Sequence, residues 1–159
     1  MWILMNSPVG ELLIVEQGGA IVAIEFSPFS DVDGRPRGDR DDTNPVLVEA
    51  VRQLRAYFDR DLKEFDLPLA PVGTAFQARV WDQLQQIGYG ETASYGQIAG
   101  RLGLTGHGAR AVGLANGRNP IPIVIPCHRV VGANGTLTGY AGGIERKQTL
   151  LDLEQDALF

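Results

Sequence analysis

Ser94-Tyr-Gly-Gln-Ile-Ala-Gly-Arg-Leu-Gly-Leu-Thr-Gly-His-Gly-Ala-Arg-Ala-Val-Gly-Leu-Ala-Asn116 decides how the second half of the chain folds. Ser94 and Gln97 stand at capping-box spacing, which predicts a short helix carrying Ile98, Ala99 and Leu102. Gly103 predicts its stop, Gly106–Gly108 a loop, and Ala109–Asn116 a second short helix. Two short helices across a tight glycine turn resemble a helix-turn-helix, though any packed pair of helices gives the same pattern. Ala109, Ala111, Gly113 and Ala115 permit close approach, either of a groove wall or of a neighbouring helix.

Working back toward the N-terminus, Thr74 and Gln77 repeat the capping-box spacing, and Phe76, Val80, Trp81, Leu84 and Ile87 fall on one helical face. Glycines are uneven, 6 before Thr74 and 14 after it, so a boundary is placed at Pro68–Gly73. A chain of 159 residues accommodates two small domains, read as 1–73 and 74–159. In the first, Trp2–Met5, Glu11–Glu16 and Ala20–Phe26 are apolar, β-branched runs divided by Ser-Pro-Val-Gly and Gly18-Gly19 turn signals, which predicts an antiparallel meander. Ser30–Asp42 reads as a mobile loop. Asn44 then caps a helix with Pro45 at its first position and Leu47, Ala50, Val51, Leu54 and Phe58 on the buried face. The expected fold is α+β: a small N-terminal antiparallel sheet with a helix, then a mainly helical C-terminal domain.

Charge follows the same division. Residues 1–73 hold 13 acidic and 7 basic side chains, whereas from Thr92 to Lys147 Glu145 is the only acid against Arg101, Arg110, Arg118, Arg129, Arg146 and Lys147. The net charge of −5 therefore hides a basic second half, which is either a solvated surface or one facing phosphates. No run approaches the roughly 18 apolar residues of a membrane span, and the N-terminus carries no basic flank before an apolar run, so the expected location is the cytoplasm. Cys127 is the only cysteine, which excludes an internal disulfide; with only His107 and His128 beside it, a closed Cys/His zinc site is excluded as well.

In Asn119-Pro-Ile-Pro-Ile-Val-Ile-Pro-Cys-His-Arg-Val-Val131 three prolines forbid a helix, and the apolar alternation predicts a rigid extended segment through the core that presents Cys127 at its end. A lone cysteine is either an inert small hydrophobe or a nucleophile. His128 and Arg129 follow at once, and a histidine with local positive charge is the usual means of generating a thiolate. On an extended segment the two side chains would point apart, so a bridging water is the simplest relay unless the chain turns. The histidine needs an acid to orient it, and only Glu145, Asp152, Glu154 and Asp156 lie downstream.

The residues now assembled resemble the O6-alkylguanine-DNA alkyltransferases, which repair alkylated guanine by moving the alkyl group onto a cysteine. Ile125-Pro-Cys-His-Arg-Val130 carries most of the resemblance. Ala109-Arg-Ala-Val-Gly113, Asn119-Pro120, Gly139-Tyr-Ala-Gly-Gly143, Lys147, Leu150, Leu151 and Glu154 follow at family spacing. The resemblance implies Cys127 as nucleophile, His128 as base through a water, Glu154 as its orienting carboxylate and Asn119 as a hinge that fixes the cysteine. It further implies that Arg110 enters the duplex as the damaged base leaves. Tyr95 would press on the adjacent phosphate and donate to the base, and Tyr140 with the N–H of Ala141 would line the pocket. Carbonyls at Cys127 and Val130 would accept the base amine. Alanine replaces the family's usual serine at Ala141, which leaves the N–H but removes a hydroxyl. The implied partner is double-stranded DNA containing alkylated guanine. No metal, organic cofactor or obligate protein partner is expected, and a thioether product with no second cysteine implies one alkyl group per molecule. A cysteine hydrolase using His107 and a noncatalytic DNA-binding module are the rivals, separated by turnover and by covalent product respectively.

Overall fold

The computed structural model describes residues 1–29, 37–140 and 142–156 and divides into two compact units, Met1–Pro71 and Val72–Phe159. Most of the Ser30–Asp42 loop, and Ala141, lie outside the described residues.

In the first unit β1 (Trp2–Met5), β2 (Leu12–Gln17) and β3 (Ala20–Phe26) form an antiparallel sheet in that order. The β2–β3 turn needs two left-handed residues in succession, and Gly18 (φ 60°) and Gly19 (φ 84°) supply them without a Cβ clash. Pairing runs from Leu12 opposite Phe26 to Gln17 opposite Ala20, with a bulge at Val15/Glu16. Helix α1 (Pro45–Phe58) packs on this sheet; the Asn44 side chain accepts from the N–H groups of Val46 (3.0 Å) and Leu47 (3.2 Å), two of the donors that a helix start leaves unpaired. Leu47, Ala50, Val51 and Leu54 are buried as predicted. Phe58 is only half-buried, and its neighbour Tyr57 is the aromatic that fills the core.

The second unit is built from α2 (Ala75–Leu84), β4 (Ala93–Ser94), α3 (Tyr95–Arg101), α4 (Gly108–Gly117), β5 (Val130–Val131) and α5 (Ile144–Asp156). Both predicted capping boxes are closed: Gln77 and Thr74 exchange bonds of 3.1 and 2.9 Å, Gln97 and Ser94 bonds of 3.0 and 2.8 Å. Gly103, after α3, has φ 72°. Trp81 is fully buried and its indole N–H donates to the Ala115 carbonyl (2.9 Å), tying α2 to α4. A Cβ on Gly73 would collide with that indole ring, so only glycine fits there. Helices α3 and α4 pack directly on one another.

Between Asn119 and Val131 the expected extended segment is not what forms. The chain folds into consecutive turns, with Ile125 N–H donating to Ile121 O (3.0 Å), Val124 N–H to Pro122 O (2.9 Å) and Cys127 N–H to Ile125 O (2.8 Å). Cys127–Arg129 then makes a single 3₁₀ turn. Prolines forbid a helix, but a fixed φ near −65° suits a turn as well as a strand, and tertiary contacts choose between them. Ile123 is held at φ 74°, a strained conformation for a β-branched side chain, and is buried with its neighbours. Directly after the turn, β5 pairs in parallel with β4 (Ala93 opposite Val130, Ser94 opposite Val131), which sets the start of α3 beside the cysteine.

Candidate active site

A 3₁₀ turn spaces successive side chains about a third of a revolution apart, so Cys127, His128 and Arg129 do not alternate between opposite faces as a strand would make them. Cys127 is 3% exposed. Burial pushes its thiol up to about 11, against the opposing pull of hydrogen bonds with Asn119 and Tyr140 and the charge of Lys147. The resting group is therefore a thiol. His128 is fully buried, and its Nε2 lies 2.7 Å from Glu154 Oε2, in the last part of α5. Burial lowers the imidazole below the usual histidine range, so it rests neutral, with Nε2–H donating to the carboxylate and Nδ1 left as an acceptor. No described residue hydrogen-bonds to Nδ1.

Glu154 is the hub. Burial raises its carboxyl, but the hydrogen bonds and charges of His128 and Arg129 outweigh that and hold it down at about 2. Arg129 donates from Nε to Oε1 (2.9 Å) and from Nη2 to Oε2 (3.1 Å), and from Nη1 to the Ile87 carbonyl (2.7 Å). The Gly90 N–H adds a further bond to Oε1 (3.2 Å). A carboxylate so held stays ionised in a dry setting and stabilises the imidazolium once His128 accepts a proton.

Asn119 clasps the turn from within, its Nδ2 donating to Ile125 O (2.8 Å) and its Oδ1 accepting from Ile121 N–H (3.0 Å). Tyr140 is buried beside the thiol. Tyr95 is half-buried at the first position of α3, its hydroxyl donating to Thr138 O (3.4 Å) and accepting from Thr138 Oγ1 (3.2 Å). The structure thus gathers Cys127, His128, Glu154, Asn119, Val130 and Tyr140 around one turn, with Tyr95 joined to them through Lys147, whose Nζ lies 5.9 Å from the tyrosine ring centroid. Arg110 is apart from them, exposed on the first turn of α4, with no hydrogen bond or ion pair among the described residues. Ala141 is outside the described residues.

Three residues at the site take partners that the sequence does not assign to them. Arg129 is the second partner of Glu154. Lys147 is fully buried, donating from Nζ to Val130 O (2.6 Å) and Thr138 O (2.9 Å), and burial lowers its ammonium. For Lys147 a signal was available: Lys147, Leu150 and Glu154 fall at i, i+3 and i+7, so two charges share the apolar face of α5. The third is Asn116, 2% exposed on α4, whose Nδ2 donates to the Cys127 carbonyl (3.4 Å) while its buried Oδ1 has no partner among the described residues. Nothing in an Ala-Asn-Gly sequence announces that. Among the described residues no group of three His, Cys, Asp or Glu side chains could hold a metal, and no helix is long and apolar enough to cross a membrane.

A buried thiol, a neutral imidazole with a bare acceptor nitrogen and a fixed carboxylate are the parts that activation of a cysteine nucleophile calls for, set here on a helical domain. Two family models match the chain: residues 1–71 match the 6-O-methylguanine DNA methyltransferase, ribonuclease-like domain, and residues 75–156 match the 6-O-methylguanine DNA methyltransferase, DNA binding domain. The methylated-DNA–protein-cysteine methyltransferase of Mycobacterium leprae is 49% identical over 95% of this chain and 90% of its own. That of Methanosarcina acetivorans is 46% identical over 95% and 96%. A crystal structure of Mycobacterium tuberculosis OGT in complex with DNA superimposes with a TM-score of 0.90 at 47% identity, covering 98% of this chain and 93% of that one. The chain belongs to the 6-O-methylguanine DNA methyltransferase family.

Proposed function

We propose that this protein repairs DNA by moving the alkyl group of O6-alkylguanine, in one irreversible step, onto Cys127. The observation that carries this is the buried His128–Glu154 pair, joined at 2.7 Å, on the same 3₁₀ turn as the buried Cys127 thiol. His128 Nδ1 takes the thiol proton through a water, and the thiolate sulfur attacks the alkyl carbon. The S–C bond forms as the C–O6 bond breaks, the electron pair departs with guanine, and the proton taken from the thiol passes from His128 to the departing guanine. Glu154 steadies the imidazolium meanwhile. A thioether is not hydrolysed and no second cysteine can attack it, so each molecule reacts once.

Reaching O6 requires the nucleotide to leave the stack, at a cost of a few kcal/mol. In this reading α4 enters the groove, Arg110 fills the gap, and Tyr95 presses on the adjacent phosphate and donates to the base. Tyr140 and the Ala141 N–H line the pocket, while the Cys127 and Val130 carbonyls accept the base amine. Lys147 already occupies one lone pair of the Val130 carbonyl, and the second remains for the base. A catalytic thiol also suits a reducing compartment, and we place the protein in the cytoplasm. Incubation with an oligonucleotide containing one O6-methylguanine should add the mass of a single methyl group, mapped to Cys127. A label on another residue, or a second turnover, would refute the reading.

The extrusion role of Arg110 has its own test. Arg110→Ala should slow transfer from duplex DNA by on the order of tenfold, part of the extrusion cost, and leave transfer from free O6-alkylguanine base near the parent rate. Equal losses on both substrates, with thermal melting unchanged, would remove Arg110 from that role.

A further inference from the structure

Asn116 and His128 carry two bare buried acceptors beside the same peptide. The Asn116 amide reaches the Cys127 carbonyl, which belongs to the bond joining Cys127 to His128. That bond also fixes the amide's orientation: the NH₂ group must face the carbonyl, so Oδ1 points elsewhere, into protein. There it accepts from no described residue, and neither does His128 Nδ1. Leaving a buried acceptor unpaired is costly, and two such atoms near one peptide suit a molecule able to donate twice. Water is the simplest molecule that donates twice and also accepts.

We propose that Asn116 is a positioning residue for proton transfer, its Oδ1 holding, together with His128 Nδ1, the water that relays the Cys127 proton. The inference rests on the transferase reading above. The water accepts from Sγ–H and donates to Oδ1 and Nδ1, three bonds, the usual number for a buried water. On reaction the thiol proton passes to the water and one of the water's own protons passes to Nδ1; the hydrogen on Oδ1 stays, so the water is regenerated. The carbonyl bond from Nδ2 aims the thiol's peptide at the same time. Arg110 and Asn116 share α4, so the helix read as entering DNA also holds the relay.

Lys147, Tyr140 and Tyr95 face the turn from their own elements, and Arg129 and Glu154 lie behind His128, so a pH profile must be compared against the parent protein under identical conditions. Asn116→Leu removes both amide functions at similar volume. Its single-turnover rate on a saturating single-stranded oligonucleotide with one O6-methylguanine should fall roughly tenfold or more at pH 7, a part of the roughly 10²–10⁴-fold that general-base catalysis contributes. The deficit should narrow as pH rises toward 10, where hydroxide removes the thiol proton without the relay. A deficit of constant size at every pH would make Asn116 only a backbone prop, and no deficit would leave it idle; either overturns the inference. Should the leucine variant melt below the assay temperature, Asn116→Asp decides. Buried and protonated, Asp offers one donor and one acceptor like the parent amide, so its rate should match the parent at low pH and fall as it ionises. A uniform loss in that variant would also overturn the inference. Parent protein that takes up no methyl group would overturn the inference together with the transferase reading, whereas the other failures leave that reading intact.

Discussion

Cys127→Ser takes up no methyl group from an O6-methylguanine oligonucleotide on the timescale of hours, while the parent is fully labelled; this is the largest effect expected of any single substitution. The reason is acidity and softness together. The parent thiol, already raised to about 11 by burial, is within reach of a neutral imidazole when substrate is seated, whereas a serine hydroxyl is far harder to ionise and makes a poorer nucleophile toward an alkyl carbon. The two side chains are nearly the same size, so melting should change little and affinity for the damaged oligonucleotide should persist. Intact-mass spectrometry reads the first, calorimetry the second, filter binding the third. A labelled serine variant would move the acceptor away from Cys127.

Glu154→Gln is expected to act on both stability and rate. Removing the carboxylate leaves the Arg129 guanidinium buried without its counter-charge, and breaking such a pair from one side costs about 3–5 kcal/mol. The pH dependence gives an independent handle. Glu154 is held near 2 in the folded protein against an ordinary 4.5, so its contribution is complete above the unfolded value and is lost as pH falls from about 4.5 toward 2. By linkage the shift is worth on the order of 3 kcal/mol. Urea melts should therefore show the parent weakening through that window and the glutamine variant, already weakened at pH 7, lacking that step. Below the variant's melting temperature, methyl transfer should still be slower than in the parent with DNA affinity nearly unchanged, because the imidazolium has lost its partner. Normal single-turnover rates with weakened DNA binding would confine Glu154 to a structural role.

Much of this was readable from residue order, for a physical reason: caps and hairpin turns are local. Ser94 with Gln97, Thr74 with Gln77, Asn44 with Pro45 and Gly18-Gly19 each satisfy their own backbone within a few residues, so the sequence contains the whole argument. The Asn119–Val131 segment does not. Its turns depend on the clasp of Asn119, on a left-handed Ile123 and on burial of every residue from Ile121 to Val131, none of which is a local preference. Site residues divide the same way. Cys127 and His128 announced themselves as neighbours, while the pairing with Glu154, 26 positions on, rested on family resemblance. Arg129, Lys147 and Asn116 acquire partners only through tertiary packing.

The concealment of the chain's single thiol also makes the molecule its own reporter of opening. In the native state Cys127 is 3% exposed and its thiol is pushed up to about 11, so an electrophile that the site does not seat and activate, such as iodoacetamide, finds little access and little thiolate. In the unfolded chain the same sulfur is accessible and ionises near its free value. Generic labelling therefore proceeds at the frequency with which the second unit opens, and one unmodified cysteine times that event without an added probe.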